Sequence, residues 1–221
     1  MVIKSFPPHE LADEYGLLAV GGDCEVDSLL LAYRNGIFPW PVYDDILTWF
    51  SPPKRAVLFF KDLHIPRSLK KLRKKNLFTF AIDRNFNEVI NQCATSPNRG
   101  DQSGTWITKQ IIEGYIELHK AGYAHSIECY SEDKLVGGLY GVSIGAMFAG
   151  ESMFYTEPNA SKLALLYLID YLRNQQVDWI DCQVMTPLLK QFGAIEIPRA
   201  EFLTLLNDAI ARNVQPFNFI E

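Results

Sequence analysis

Three polar residues at the ends of two apolar segments are the strongest candidates for chemistry. Glu151 follows Gly150 in one predicted strand, and Asp181 and Gln183 alternate with apolar residues in another. Residues two apart on a strand share a face, so Asp181 and Gln183 are expected to point the same way. A buried carboxylate needs polar partners. Two interpretations stay open: hydrogen bonds that only serve the fold, or an acidic pocket of Asp181 with Glu151 that suits a cationic ligand.

Three tryptophans lie near predicted turns, at Trp40, Trp49 and Trp106. Large aromatic side chains are more often part of a core than of a binding surface. Exposed tryptophans close to a basic surface, however, are what stacking of a terminal base requires. The sequence leaves both interpretations open.

Charge is distributed unevenly along the chain. The 221 residues carry a net charge of −5 and a pI near 5.4, which argues against a protein that coats nucleic acid. Residues 61–75 have the opposite charge balance, because they contain seven basic residues and one acidic residue, Asp62. This segment carries +6, and the rest of the chain carries −11. This basic segment predicts either a solvated helix face or a local phosphate site. Its basic residues are Lys61, Arg67, Lys70, Lys71, Arg73, Lys74 and Lys75.

Several kinds of site are disfavoured. The four cysteines are widely separated and the histidines are not clustered, so no metal is expected. The glycines between residues 137 and 150 lack the Lys-Ser or Lys-Thr of a P-loop, and the turn with which acetyltransferases hold coenzyme A is missing. No signal peptide is visible at the N-terminus, and no apolar run approaches the roughly 18 residues that span a bilayer. We therefore expect a cytoplasmic protein without a membrane segment.

The predicted elements that position these residues form an α+β fold. With 48% hydrophobic residues, the chain can bury a substantial core. The first sixty residues are rich in turns and predict one helix, from Asp27 as N-cap to Asn35. The later pattern predicts helices and strands in the order of a GNAT-type acyltransferase core, where the site lies near the ends of central strands. Predicted strands cover 46–50, 56–60, 78–82, 124–130, 134–142, 146–154 and 177–184; predicted helices cover 67–74, 85–93, 108–120, about 159–174 and 199–212, and a polar loop covers 95–103.

Nine short motifs extend from about residue 16 to about residue 210. They closely resemble, in order, the signatures of the leucyl/phenylalanyl-tRNA–protein transferase family. The motifs are Gly16-Leu-Leu-Ala-Val-Gly-Gly-Asp23, Arg34-Asn-Gly-Ile-Phe-Pro-Trp40, Trp49-Phe-Ser-Pro52, Gly104-Thr-Trp-Ile-Thr108, His125-Ser-Ile-Glu128, Gly137-Gly-Leu-Tyr-Gly-Val142, Phe148 with Gly150-Glu-Ser-Met-Phe154, Asn159-Ala-Ser-Lys162 and Ile180-Asp-Cys-Gln-Val184.

The resemblance implies an aminoacyltransferase. Such an enzyme moves leucine or phenylalanine, and less readily methionine, from aminoacyl-tRNA to the N-terminal amine of proteins that begin with Arg or Lys. The modified protein then enters degradation by the N-end rule. The resemblance also implies no cofactor and no metal, and a small N-terminal α/β domain, over residues 1–60, followed by a GNAT-like catalytic domain over 61–221.

Site residues follow from the same resemblance. Asp181, Gln183 and Glu151 match the catalytic residues, with Gln183 acting in proton transfer or in positioning the amine. Trp49 and Trp106 match the tryptophans that stack on the terminal adenosine, and the basic segment matches the surface that meets tRNA. The hydrophobic pocket for the aminoacyl side chain is matched by Leu139, Phe148, Leu165, Leu168 and Ile180.

The chain also departs from the family pattern at several positions. Tyr155-Thr156 replaces a Ser-Arg pair, the histidine that many members have after Val184 is missing, and Leu168 replaces an aromatic residue of some members. Two alternative functions also remain at this stage. A non-catalytic tRNA-binding module would explain the basic segment and the tryptophans, and a GNAT acetyltransferase is a weaker alternative.

Overall fold

The computed structural model describes residues 2–41, 46–96, 106–212 and 214–217. Within these ranges the chain is a mixed α+β protein with two sheets. The strands are β1 (Leu17–Val20), β2 (Phe38–Pro39), β3 (Thr48–Phe50), β4 (Lys54–Phe59), β5 (Thr79–Ile82), β6 (Ala124–Ser131), β7 (Lys134–Ile144), β8 (Met147–Tyr155), β9 (Trp179–Gln183) and β10 (Ile195–Pro198). The α-helices are α1 (Val26–Arg34), α2 (Arg67–Arg73), α3 (Phe86–Thr95), α4 (Lys109–Lys120), α5 (Ala160–Asn174), α6 (Pro187–Gln191) and α7 (Arg199–Ala211).

The larger sheet has seven strands in the order β10-β4-β9-β8-β7-β6-β5, and the smaller has the order β1-β3-β2. Neighbouring strands of the large sheet are antiparallel except β8 and β9, which are parallel. A parallel connection needs a crossover, and α5 supplies it between β8 and β9. The centre of the sheet is therefore the place where two differently connected parts of the chain meet.

The large sheet is covered on both faces, and adjacent glycines of β7 show which helix lies on which face. A Cβ atom at Gly137 would meet Ala160 of α5, whereas one at Gly138 would lie close to Val89 of α3. Since successive strand residues point to opposite faces, α5 lies on one side of the sheet and α3 on the other. This explains why β6, β7 and the first three residues of β8 are buried rather than alternating.

Most of the predicted elements are confirmed, with small changes of boundary. Thr108 caps α4 by accepting a hydrogen bond from the backbone amide of Ile111, and the three-strand meander is β6, β7 and β8. The prediction that Asp27 is the N-cap of the first helix is wrong, because α1 begins at Val26. The predicted polar loop over 95–103 lies mostly outside the described residues, and Thr95 ends α3.

Four elements were not predicted, and one strand crosses the expected domain boundary. Two of the four, β1 and β2, belong to the small sheet. The short helix α6 and the edge strand β10 follow β9 directly. β4, which lies before residue 60, pairs with β9 and β10 in the large sheet. The division into domains at residue 60 stays a prediction.

Candidate active site

The sheet opens between β8 and β9, directly beside the three candidate residues. These strands share one described parallel bridge, between Ala149 and Asp181. Beyond the bridge, the connection passes through side chains instead of backbone, since Gln183 Nε2 donates to Glu151 Oε1 at 2.8 Å. An opening in a sheet exposes backbone and side-chain groups that elsewhere would be covered by the next strand. Glu151 and Gln183 therefore meet at the gap.

Glu151 is held by two tyrosines as well as by Gln183. Tyr33 of α1 donates from its hydroxyl to Glu151 Oε1 at 2.7 Å, and Tyr115 of α4 donates to Oε2 at 3.2 Å. The two hydroxyls also contact each other, and their rings meet edge to face with centroids 6.5 Å apart. Glu151 is thus positioned by three elements that approach it from separate directions.

The environment of Glu151 raises its pKa from the ordinary 4.5 to about 7, chiefly because burial disfavours the charged carboxylate. Hydrogen bonds from Tyr33, Gln183 and Tyr115 act in the opposite direction and limit the rise. Burial and the negative charge of Glu151 also raise the pKa of both tyrosines well above 10, so their hydroxyls stay protonated as donors. A carboxyl group with a pKa about 7 can accept and release a proton at cellular pH.

Asp181 has a different environment, because Arg55 of β4 binds both of its oxygens. Arg55 Nε donates to Oδ1 at 2.8 Å and Nη2 donates to Oδ2 at 2.7 Å, and both side chains are 2% exposed. The backbone amide of Gln183 adds a third donor to Oδ1 at 2.9 Å. Asp181 is therefore neutralised by a bidentate partner, which corrects the expectation of an acidic pocket shared equally by Asp181 and Glu151.

The five residues expected to hold an aminoacyl side chain, Leu139, Phe148, Leu165, Leu168 and Ile180, are all buried. The ring of Phe148 lies over Gly141, where a Cβ atom would stand 2.5 Å from it. Leu165 and Leu168 belong to α5, so this cluster is on the α5 face of the sheet. Glu151 bonds to α1 and α4, which lie on the other side. The cluster and the polar groups can meet only through the opening between β8 and β9.

The tryptophans differ in exposure. Trp49 is fully buried; its indole N–H donates to the Gly21 carbonyl at 2.9 Å, and Phe6 packs edge-on against it. The expectation of an exposed stacking surface is therefore wrong for Trp49. Trp106 is partly exposed. Trp40, which also has an exposed part, lines a cavity of about 770 Å³ together with Phe50 and Val184, the residue after Gln183.

The basic segment lies on the surface. All seven of its basic residues are exposed, while Leu69 of α2 is buried and fixes the helix to the body of the protein. Arg73 is paired with Asp170 of α5, and the ammonium of Lys61 lies 5.7 Å from the centre of the Phe59 ring. Most of this charge faces solvent, as both a solvated helix face and a phosphate site require.

Sequence reasoning missed three residues of this site: Tyr33, Tyr115 and Arg55. Both tyrosines occupy apolar positions of amphipathic helices, where the pattern assigns them to the core. Arg55 did leave a signal, since it is a charged residue directly before the apolar segment Ala56–Phe60. A charge at the start of a buried strand requires a buried partner.

Two searches of the described part of the chain gave negative results. No helix there is both long and apolar enough to cross a membrane. No group of three or more His, Cys, Asp or Glu side chains there is arranged to hold a metal ion.

Two solved structures share part of this fold. L-PGS from Bacillus licheniformis is 12% identical, with a TM-score of 0.46, over 86% of this chain and 71% of that one. FemX is 10% identical, with a TM-score of 0.48, over 82% of this chain and 71% of that one. Scores below 0.5 are too low to carry an argument, and the GNAT-like architecture stays a prediction.

Sequence comparisons are far more specific. A family model described as leucyl/phenylalanyl-tRNA protein transferase matches residues 57–207, and the model for the N-terminal domain of the same family matches 22–53. Leucyl/phenylalanyl-tRNA–protein transferases from Thermodesulfovibrio yellowstonii and Syntrophobacter fumaroxidans are 48% and 49% identical to this chain. The alignments cover 94% and 93% of this chain, and 84% and 87% of the two relatives. The chain thus belongs to the leucyl/phenylalanyl-tRNA–protein transferase family and is an aminoacyltransferase.

Proposed function

We propose that this protein transfers leucine or phenylalanine, and less readily methionine, from aminoacyl-tRNA to the N-terminal amine of proteins that begin with Arg or Lys. The product would be marked for degradation by the N-end rule in the cytoplasm. The observation that carries the proposal is the position of Glu151, whose carboxyl group has a pKa about 7 and stands at the opening between β8 and β9. The buried apolar cluster lies on one side of this opening, and the hydroxyls of Tyr33 and Tyr115 lie on the other.

The aminoacyl group would enter with its side chain among Leu139, Phe148, Leu165, Leu168 and Ile180. These residues are aliphatic or aromatic and contribute no charge. Such a pocket accepts Leu, Phe and Met, because a difference of a methylene or two is worth only about 1–3 kcal/mol. All five side chains are buried, so they would move apart to admit the aminoacyl group.

The reaction is aminolysis of an ester. The amine nitrogen forms a bond to the ester carbonyl carbon, the bond from that carbon to the ribose oxygen breaks, and the amine proton finally reaches the ribose oxygen. Glu151 would accept this proton and return it to the leaving oxygen, which suits a carboxyl group with a pKa about 7. Gln183, bonded to Glu151 at 2.8 Å, would position the amine. An amide side chain is a poor base, which favours positioning over proton transfer by Gln183.

No covalent enzyme intermediate is required. Cys182 is the nearest thiol along the chain, between Asp181 and Gln183, but burial raises its pKa far above the cellular range. A protonated thiol is a poor nucleophile. An α-amine has an unperturbed pKa of about 7.7–8.0, so a useful fraction of the acceptor is already neutral at cellular pH. Holding the amine and the ester together would then supply much of the rate.

The tRNA would contact the basic segment through its phosphates, and its terminal adenosine would stack on Trp106. Trp40 is the better second tryptophan, because Trp49 is covered by Phe6 and has no exposed face. Trp40 lines a cavity at the end of β9. Val184, the residue after Gln183, lines the same cavity.

The proposal is tested by incubating the protein with labelled Leu-tRNA and a peptide that begins with Arg. We expect the label on that peptide, and none on a matched peptide whose N-terminus is acetylated. Binding of tRNA without any transfer, under conditions in which a known transferase is active, would indicate a non-catalytic tRNA-binding module and would overturn the proposal.

A further inference from the structure

One buried charged residue beside the site has no part in the reaction described above. Arg55 is almost completely buried, and its guanidinium lies between two aromatic rings, 4.6 Å from the centre of Phe38 and 4.5 Å from that of Phe202. Its third polar contact is from Nη1 to the Gly36 carbonyl at 3.1 Å. The hydrogen bonds to Asp181 and Gly36 use all three nitrogens of the guanidinium, and the two aromatic rings pack against it.

Gln183 has an unusual backbone. Its φ is +59°, in the left-handed region, which a residue other than glycine adopts only where its surroundings stabilise it. Two backbone hydrogen bonds accompany this conformation: the Gln183 amide donates to Asp181 Oδ1 at 2.9 Å, and the Val184 amide donates to the Cys182 carbonyl at 2.7 Å. The side-chain amide of Gln183 donates to Glu151 Oε1 at 2.8 Å.

We propose that Arg55 is a positioning residue for Gln183, with Asp181 as the bridge between them. Arg55 fixes the Asp181 carboxylate, the carboxylate fixes the left-handed turn of Gln183, and the turn aims the side-chain amide at Glu151. The inference rests on the proposed function and extends it to a residue outside the reacting groups.

The same guanidinium also fixes the opposite side of Glu151. Gly36 follows α1 directly, and α1 carries Tyr33, which donates to Glu151. Arg55 therefore connects two of the three groups that hold Glu151, one through Gly36 and one through Asp181. Lysine cannot replace this geometry, because an ammonium group lacks the planar fork that binds two carboxylate oxygens at once and stacks between rings.

The proposal assigns Asp181 a different role from that of a base or a site for the cationic acceptor. Its oxygens already accept from Arg55 Nε, Arg55 Nη2 and the Gln183 amide. Its charge is compensated by the guanidinium, and the residue is 2% exposed. Asp181 would thus be required for activity because Gln183 depends on it for its orientation.

The first experiment compares Arg55→Lys with Arg212→Met, an arginine at the end of α7 that bonds to Asp178 and Gln176 and, among the described residues, makes no bond to those of the site. We expect Arg55→Lys to lower kcat at least about tenfold, with KM for both substrates within about twofold, while Arg212→Met leaves both unchanged. The pH at half-maximal rate should also rise in Arg55→Lys, because the Gln183 hydrogen bond lowers the pKa of Glu151. An unchanged kcat, or a lower kcat with an unmoved pH profile, would overturn the proposal.

A double variant separates positioning from chemistry by Asp181. Arg55→Met alone leaves a buried unpaired carboxylate and can fail to fold, whereas Arg55→Met with Asp181→Asn leaves no buried charge. If Arg55 acts largely through Asp181, adding Arg55→Met to Asp181→Asn lowers kcat by a smaller factor than Arg55→Lys does in the wild type; the contact with Gly36 accounts for the remaining loss. The combined Arg55→Lys/Asp181→Asn variant gives the opposing result. If its loss of kcat equals the product of the losses in the two single variants, Arg55 does not act through Asp181.

A structural readout distinguishes this inference from the proposed function. In a crystal structure of Arg55→Lys, we expect Gln183 to leave the left-handed conformation or to lose its bond to Glu151. Retention of both features would overturn the inference whatever the activity. Wild-type protein that transfers no amino acid would overturn the proposed function instead, and would leave the positions of Arg55 and Gln183 unaffected.

Discussion

Replacing Glu151 by Gln should stabilise the folded protein relative to wild type, and this gain in the free energy of unfolding should grow as pH rises from about 4.5 to 8. The folded-state pKa of Glu151 is raised from 4.5 to about 7 by burial. Between these two values the folded chain holds the proton more tightly than the unfolded chain does, so the wild type loses stability as pH rises from about 4.5 to about 7. Glutamine does not titrate and keeps acceptor capacity for the Tyr33 hydroxyl, so the variant should not show this loss.

The size of the effect follows from the two pKa values. A difference of one pKa unit corresponds to about 1.4 kcal/mol, so the full interval from 4.5 to about 7 corresponds to at most about 3.5 kcal/mol. Because Glu151 is partly exposed and water screens its charge, we expect the variant to gain between about 1 and 3 kcal/mol relative to wild type from pH 4.5 to pH 8. Transfer activity should fall over the same range, since the proposed proton acceptor is missing.

Urea unfolding of wild type and Glu151→Gln at pH 5, 6, 7 and 8 measures this gain. Other titrating groups contribute nearly equally to both proteins, so they cancel in the difference. Glu201→Gln, an exposed position on α7, is the matched control and should show no pH-dependent difference. A stability difference that stays constant with pH, or that shrinks as pH rises, would refute the account of Glu151 as a carboxyl group with a raised pKa.

Two further predictions concern the tRNA side of the molecule. Trp106→Ala should raise KM for aminoacyl-tRNA about tenfold or more, consistent with about 1–3 kcal/mol for stacking of one base. Its melting temperature should stay nearly unchanged. Trp49→Ala should instead lower the free energy of unfolding by about 3–5 kcal/mol, since the ring is fully buried. Charge reversal at Lys70 and Lys71 should raise KM for tRNA and should lower the slope of log KM against log salt concentration by about one unit for each lysine. Transfer from a short aminoacyl-adenosine donor should not change. Equal losses with both donors would contradict a phosphate-binding role.

The fold and part of the site could be predicted because they depend on local patterns. The alternation of Asp181 and Gln183 with apolar neighbours defines a strand face, and the cap at Thr108 defines a helix start. β10 and α6 were missed because they are short and their stability comes from pairing with β4 and from the turn after β9, neither of which is a local property.

Roles that depend on long-range contacts could not be predicted from pattern. Tyr33 and Tyr115 stand 82 positions apart in the chain, and nothing local distinguishes a tyrosine that donates to a buried carboxylate from one that fills a core. Trp49 shows the same limit, since its place near a turn left exposure open, whereas its position on the central strand of the small sheet and its contacts with Gly21 and Phe6 bury it. The pairing of Arg55 with Asp181 joins residues 126 positions apart and is visible only in three dimensions.

The place of β4 in the sheet also affects how the chain is made. β4 emerges early from the ribosome, yet its two neighbours, β9 and β10, lie about 120 to 140 residues later. During synthesis both hydrogen-bonding edges of this apolar strand therefore stay open until the last fifth of the chain has appeared. Unpaired edges of this kind are sites of aggregation. The arrangement that brings Arg55 to Asp181 thus makes the nascent chain dependent on rapid completion or on a chaperone.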